Sequence, residues 1–194
     1  MKIAIIHCWG GGSRSCWYGW LADQLRKQGI EVISPDFPNT NNPNLEEWLA
    51  ELKKHVKQFE EKDEWVLIGH SLGCPFILRL LEAFKSRDST NLCLSKTSKP
   101  SASDQLFLTK EEKIHAAIMV AAFAKDLGFK ETRNFFYPET KKFLSQSIHN
   151  QQGITNETNQ KNLVGCVYKD FNWKKIKSKA NKFIVINSDN DPFI

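Results

Sequence analysis

The sequence predicts an α/β fold: a mostly parallel central sheet with helices on both faces. Three observations carry that expectation. Apolar runs are unbroken rather than alternating, as in strands covered on both sides; Ile3-Ala4-Ile5-Ile6, Trp65-Val66-Leu67-Ile68 and Phe183-Ile184-Val185-Ile186 are the clearest. Segments with helical spacing separate them. At 194 residues, 41% hydrophobic and 25% charged, the chain suits one domain with a real core, and collagen-like, coiled-coil and broadly disordered classes are excluded.

The elements follow in order. After the strand at residues 3–6, Trp17, Trp20, Leu21 and Leu25 share a helical face that ends near Gly29. Glu31-Val32-Ile33-Ser34 is a shorter strand. Leu45, Trp48, Leu49, Leu52, Val56 and Phe59 form a second helical stripe, with Asn44 placed to cap it and Glu47 at its third position. The strand at 65–68 leads into a glycine-flanked turn and a third helix after Ser71. A further strand lies within 114–123, a fourth helix covers roughly 173–180, and the strand at 183–186 ends the series. One domain, 1–194, is expected. Residues 85–105, rich in Ser and Lys, read as a flexible surface insertion. Residues 128–169, with an Asn/Gln-rich part at 145–162, sit where a lid belongs.

Charge and cysteines narrow the partners. The net charge of +5 comes from residues 169–182, where six lysines face Asp170 alone. That is a solvated basic face, so no nucleic-acid partner is expected. The five cysteines (Cys8, Cys16, Cys74, Cys93, Cys166) share no metal-ligand spacing and read as free thiols of a reducing compartment. No apolar run approaches the ~20 residues of a membrane span, and the apolar start is too short for a signal peptide. The expectation is a cytoplasmic protein with no membrane partner, no metal and no cofactor.

The chemistry concentrates in Gly69-His70-Ser71-Leu72-Gly73, a G-x-S-x-G between a buried strand and a helix. A nucleophilic serine on so tight a turn needs small neighbours two residues away, and the turn lifts its hydroxyl clear of the sheet. The N–H of Leu72 then faces a developing oxyanion. A second donor is expected from His7-Cys8-Trp9-Gly10-Gly11-Gly12, with Trp9 or Cys8 supplying it. This loop lacks the Gly-Lys-Ser/Thr of a phosphate-binding loop. Asp191, in Ser188-Asp189-Asn190-Asp191-Pro192-Phe193, stands after the last strand, where a triad acid belongs, ahead of Asp189 and of Asp126. Trp9, Trp17, Tyr18 and Phe123 are candidates to line an apolar substrate pocket.

Several of these segments carry a resemblance. Ile6-His7 with Gly10-Gly11-Gly12, Trp17-Tyr18-Gly19-Trp20, Pro35-Asp36 with Asn44-Leu45-Glu46-Glu47-Trp48, the Gly69–Gly73 turn, Trp173-Lys174-Lys175-Ile176 and Asp191-Pro192-Phe193 occur in matching order. In these the chain resembles the small α/β-hydrolase-fold serine hydrolases of the retinoblastoma-binding-protein-9 type and their bacterial YdeN-like relatives. The resemblance implies Ser71 as nucleophile and Asp191 as triad acid. It also implies cleavage of small esters or amides through an acyl-enzyme, without a cofactor.

One departure stands out. The triad order in this fold is Ser, Asp, His, and no histidine follows Asp191. His7 belongs to the glycine loop, His70 should point away from Ser71, His55 lies on a helix flank, His115 opens a strand and His149 falls in the Asn/Gln-rich part. The expectation is therefore a C-terminally truncated hydrolase lacking its final helix, strand and histidine loop. A non-catalytic, hydrolase-like binding module is the alternative.

Overall fold

The computed structural model describes residues 1–56, 63–84, 113–136 and 170–189. Five strands form one sheet: β1 (Lys2–Ile6), β2 (Glu31–Ile33), β3 (Trp65–His70), β4 (Ile114–Val120) and β5 (Ala180–Ile186). Their order is β2-β1-β3-β4-β5, and every pairing is parallel. Between them run α1 (Tyr18–Lys27), α2 (Leu45–His55), α3 (Gly73–Ala83), a 3-10 helix (Lys130–Phe135) and α4 (Trp173–Ser178). The expected parallel α/β sheet is present.

Strand alternation distributes the core. Ile3, Ile5, Val66 and Ile68 bury one face of the sheet with Tyr18 and Ala22 of α1. Ala4, Ile6, Trp65 and Leu67 bury the other with α2, α3 and α4, through Trp48, Leu52, Phe76, Leu80 and Ile176. Both faces are covered, which is why the strands read as continuous apolar runs.

Local signals decide most boundaries. The Asn44 side chain accepts hydrogen bonds from the N–H groups of Glu46 and Glu47, capping α2 as expected. That helix closes at His55, with Val56 buried just past its end. Helix α4 stops at Ser178, and β5 begins at Ala180, earlier than the apolar run alone indicates. The α1 face differs from expectation. Trp20 is 66% exposed, while Tyr18 and Ala22 are buried. Trp20 lies two residues from Tyr18, about 200° around the helix, so the two cannot face the sheet together. Residues 85–105 and 145–162, as well as Phe59, lie outside the described residues.

The chain turns around between β1 and β3: β2 lies to one side of β1, and β3 to β5 extend on the other. Loops leaving the carboxyl ends of β1 and β3 diverge there, and that divergence opens a crevice. The glycine loop follows β1, and Ser71 follows β3. Among the described residues, no helix is long and apolar enough to cross a membrane.

Candidate active site

Ser71 is the first residue beyond β3, with φ +51°. A residue bearing a β-carbon enters this left-handed region at a cost of roughly 1–2 kcal/mol, so the surroundings must hold it there. Its N–H donates to Val120 O at 3.0 Å, and its carbonyl accepts from Cys74 N–H at 2.9 Å. The turn thus ties the ends of β3 and β4 to the start of α3.

The flanking glycines answer the spacing argument directly. A β-carbon at Gly69 would stand 2.7 Å from Gly73 O, and one at Gly73 would stand 2.4 Å from Ile6 O. The helix passes against the strand with no room for a side chain at either place. Cys74, buried behind the turn, points its thiol at Gly69 O and Val120 O. Burial pushes this thiol up to about 12, which makes it a packing group rather than a nucleophile.

Two elements beside the cavity at Ser71 carry backbone N–H groups without partners among the described residues. Leu72 precedes α3, and its N–H has no hydrogen-bond partner among the described residues. In the loop after β1, Cys8 N–H donates to the Tyr18 hydroxyl at 3.1 Å. Gly10 N–H goes to Thr40 O, Gly11 N–H to Cys8 O and Gly12 N–H to Ser15 Oγ. The Trp9 N–H alone in that run has no partner among the described residues. Of the two expected donors in this loop, Cys8 is committed elsewhere and Trp9 is available. The Trp9 ring is anchored by its Nε1–H to Asn41 O at 3.1 Å and packs on Phe129.

A cavity of about 390 Å³ opens at Ser71, lined by Cys8, Trp9, His70, Leu72, Ala121, Phe123, Leu127, Phe129 and Thr132. Trp9 and Phe123 are there, as the sequence indicates; Trp17 and Tyr18 are not among the lining residues. Tyr18 is fully buried under the sheet, its hydroxyl 2.5 Å from His70 Nδ1, and Trp17 packs on its ring. The wall formed by Leu127, Phe129 and Thr132 carries no motif and went unread in the sequence. Phe129 and Thr132 belong to the described part of the 128–169 region, whose 137–169 portion lies outside the described residues. Arg79 holds this wall by donating to Phe135 O at 2.8 Å and Phe136 O at 3.2 Å.

The histidines occupy defined places. His7 is buried; its Nε2 accepts from Phe37 N–H at 3.1 Å, so its Nδ1 carries the proton and donates to Cys8 O at 2.8 Å. Burial lowers its basicity. Both nitrogens are used in fixing the glycine loop, which leaves none for Ser71. His70 is engaged by Tyr18, and burial lowers its basicity too. His55 pairs with Glu51 on α2, and His115 is exposed on β4. Among the acids, Asp126 accepts from Gly128 N–H at 2.9 Å and lies 3.9 Å from Arg133 Nε. Asp189 is exposed. Asp191 and His149 lie outside the described residues.

Comparison with known proteins agrees with this architecture. The serine hydrolase family matches residues 3–94. YdeN of Bacillus subtilis (strain 168), named as a hydrolase, is 36% identical over 86 residues, which is 44% of this chain and 44% of YdeN. The sequence match thus spans less than half of that relative's length. The crystal structure of the B. subtilis ydeN gene product superposes with a TM-score of 0.61 at 24% identity, covering 100% of this chain and 74% of that one. Mouse alpha/beta hydrolase domain-containing protein 10 gives a TM-score of 0.45 at 14% identity, covering 96% and 79%. The fold is the one seen in the ydeN gene product.

Proposed function

From its similarity to YdeN and to the serine hydrolase family, we propose that this chain cleaves small esters or amides through an acyl-enzyme on Ser71. The observation that carries the reading is the strained Ser71 turn, set at the sheet's reversal point beside an apolar cavity. In this mechanism the Ser71 oxygen attacks the substrate carbonyl while its proton passes to solvent water. The Leu72 and Trp9 N–H groups stabilise the tetrahedral oxyanion, a contribution of about 3–4 kcal/mol per donor in comparable sites. Collapse expels the alcohol or amine, which takes a proton from solvent, and water then releases the acid from Ser71. Trp9, Phe123 and Phe129 contact the acyl group. Asp191 serves as the triad acid. A cytoplasmic setting is part of the reading, supported by the free thiols of Cys8, Cys16 and Cys74.

Both nitrogens of His7 are engaged around the glycine loop and His55 pairs with Glu51, so neither takes the Ser71 proton. This favours a second reading in which the cleft binds an ester-like ligand without turning it over. Turnover of an activated aryl ester decides between them. Oxyanion donors and binding alone retain ~10³–10⁴-fold acceleration over water and survive Ser71→Ala, so the hydrolase reading predicts slow turnover through a Ser71 acyl-enzyme, with a lower rate and no acyl-enzyme in Ser71→Ala. Saturable binding of the ester, with identical background rates for the chain and Ser71→Ala, supports the binding module and sinks the hydrolase reading.

A further inference from the structure

We propose that Cys8, Cys16 and His70 form a binding site for a thiophilic divalent cation of the zinc class, beside the Ser71 turn. The three residues arrive from different elements: the loop after β1, the turn before α1 and the last position of β3. Their ligand atoms nevertheless all lie within 4.8 Å of one another. Two sulfurs and one imidazole are a zinc donor set, and three protein ligands leave a fourth tetrahedral position for water. Bond lengths of roughly 2.0–2.3 Å put donors on one zinc about 3.5–4 Å apart. The present separation therefore closes by small side-chain adjustments, and the exposed Cys16 has room to make them.

The surroundings fit such a site. The Tyr18 hydroxyl bonds His70 Nδ1 and accepts the Cys8 N–H. It holds the Cys8 backbone and the His70 ring in place beside the cluster. A β-carbon at Gly11 would stand 2.9 Å from Cys8 Sγ, so glycine there makes room for the sulfur. Cys16 holds a left-handed backbone, φ +50°, a conformation kept where the surroundings enforce it. Its exposure gives an ion a route in. A bound ion cross-links the Cys8–Trp9 loop to the end of β3, fixing the two segments that meet at Ser71.

Cobalt(II) titration of the reduced, metal-free full chain tests this. The proposal expects one ion per chain, with intense thiolate-to-cobalt absorption and tetrahedral visible bands that zinc displaces. Zinc should raise the thermal midpoint. Cys16→Ser and His70→Asn should each weaken cobalt binding at least ~10-fold, with unchanged circular dichroism. Cys93→Ser combined with Cys166→Ser should leave the spectrum intact. No thiolate band, a band indifferent to both Cys16→Ser and His70→Asn, or one lost with Cys93 and Cys166 would overturn the site. None of these outcomes depends on ester turnover, so failure here and failure of the hydrolase reading are separate results.

Discussion

Ser71 is one of five non-glycine residues with a left-handed backbone among the described residues. The serine sits at φ +51° between two glycines that touch backbone, so side-chain removal and strain relief can be separated by substitution. Ser71→Gly removes the β-carbon from a left-handed position, whereas Ser71→Ala keeps it. Ser71→Gly should therefore be more stable than Ser71→Ala by about 1 kcal/mol in urea unfolding. Equal stabilities would mean that the turn is unstrained. The motif made this geometry legible, because only small residues let a helix follow a strand so closely. What the sequence hid was the division of labour among His7, Cys8 and Trp9. Their adjacent N–H and imidazole groups are assigned by partners 10 to 30 positions away, Tyr18 and Phe37, and no local spacing encodes such pairings. The Cys8, Cys16 and His70 cluster was hidden for the same reason.

At the level of elements, strands were legible because burial on both faces leaves uninterrupted apolar runs, and α2 because Asn44 caps it. Replacing that cap tests the point: Asn44→Ala should cost about 1 kcal/mol by urea unfolding, and a neutral result would show that tertiary packing alone holds the helix start. Helix α1 was misread at Trp20 because aromatic residues on two faces offer more than one apolar stripe. Contact with the sheet selects the stripe containing Tyr18 and Ala22. The cavity wall at Leu127, Phe129 and Thr132 was not legible, since a short 3-10 helix has no long periodicity to read. Its placement depends on Arg79, buried in α3, which also pairs with Glu82 at 2.7 Å. Arg79→Met leaves that carboxylate and two carbonyls without their donor, so a loss of about 3–5 kcal/mol is expected. A loss under ~1 kcal/mol would show that the wall is held by apolar packing instead.

For the whole molecule, the reversal between β1 and β3 is what turns scattered residues into one site. It brings the glycine loop and the serine turn, more than fifty residues apart in sequence, to one end of the sheet. The parallel order needs no side-chain chemistry to produce this convergence. It follows from covering both faces of the sheet with helices and reversing the winding once. The proposed chemistry requires Ser71 to be the reactive group at that junction. A fluorophosphonate probe reports it most directly, with the adduct located by peptide mass mapping. Slow labelling confined to Ser71 and absent in Ser71→Ala is expected. Labelling that persists in folded Ser71→Ala, or a chain that takes up no probe at all, would contradict it.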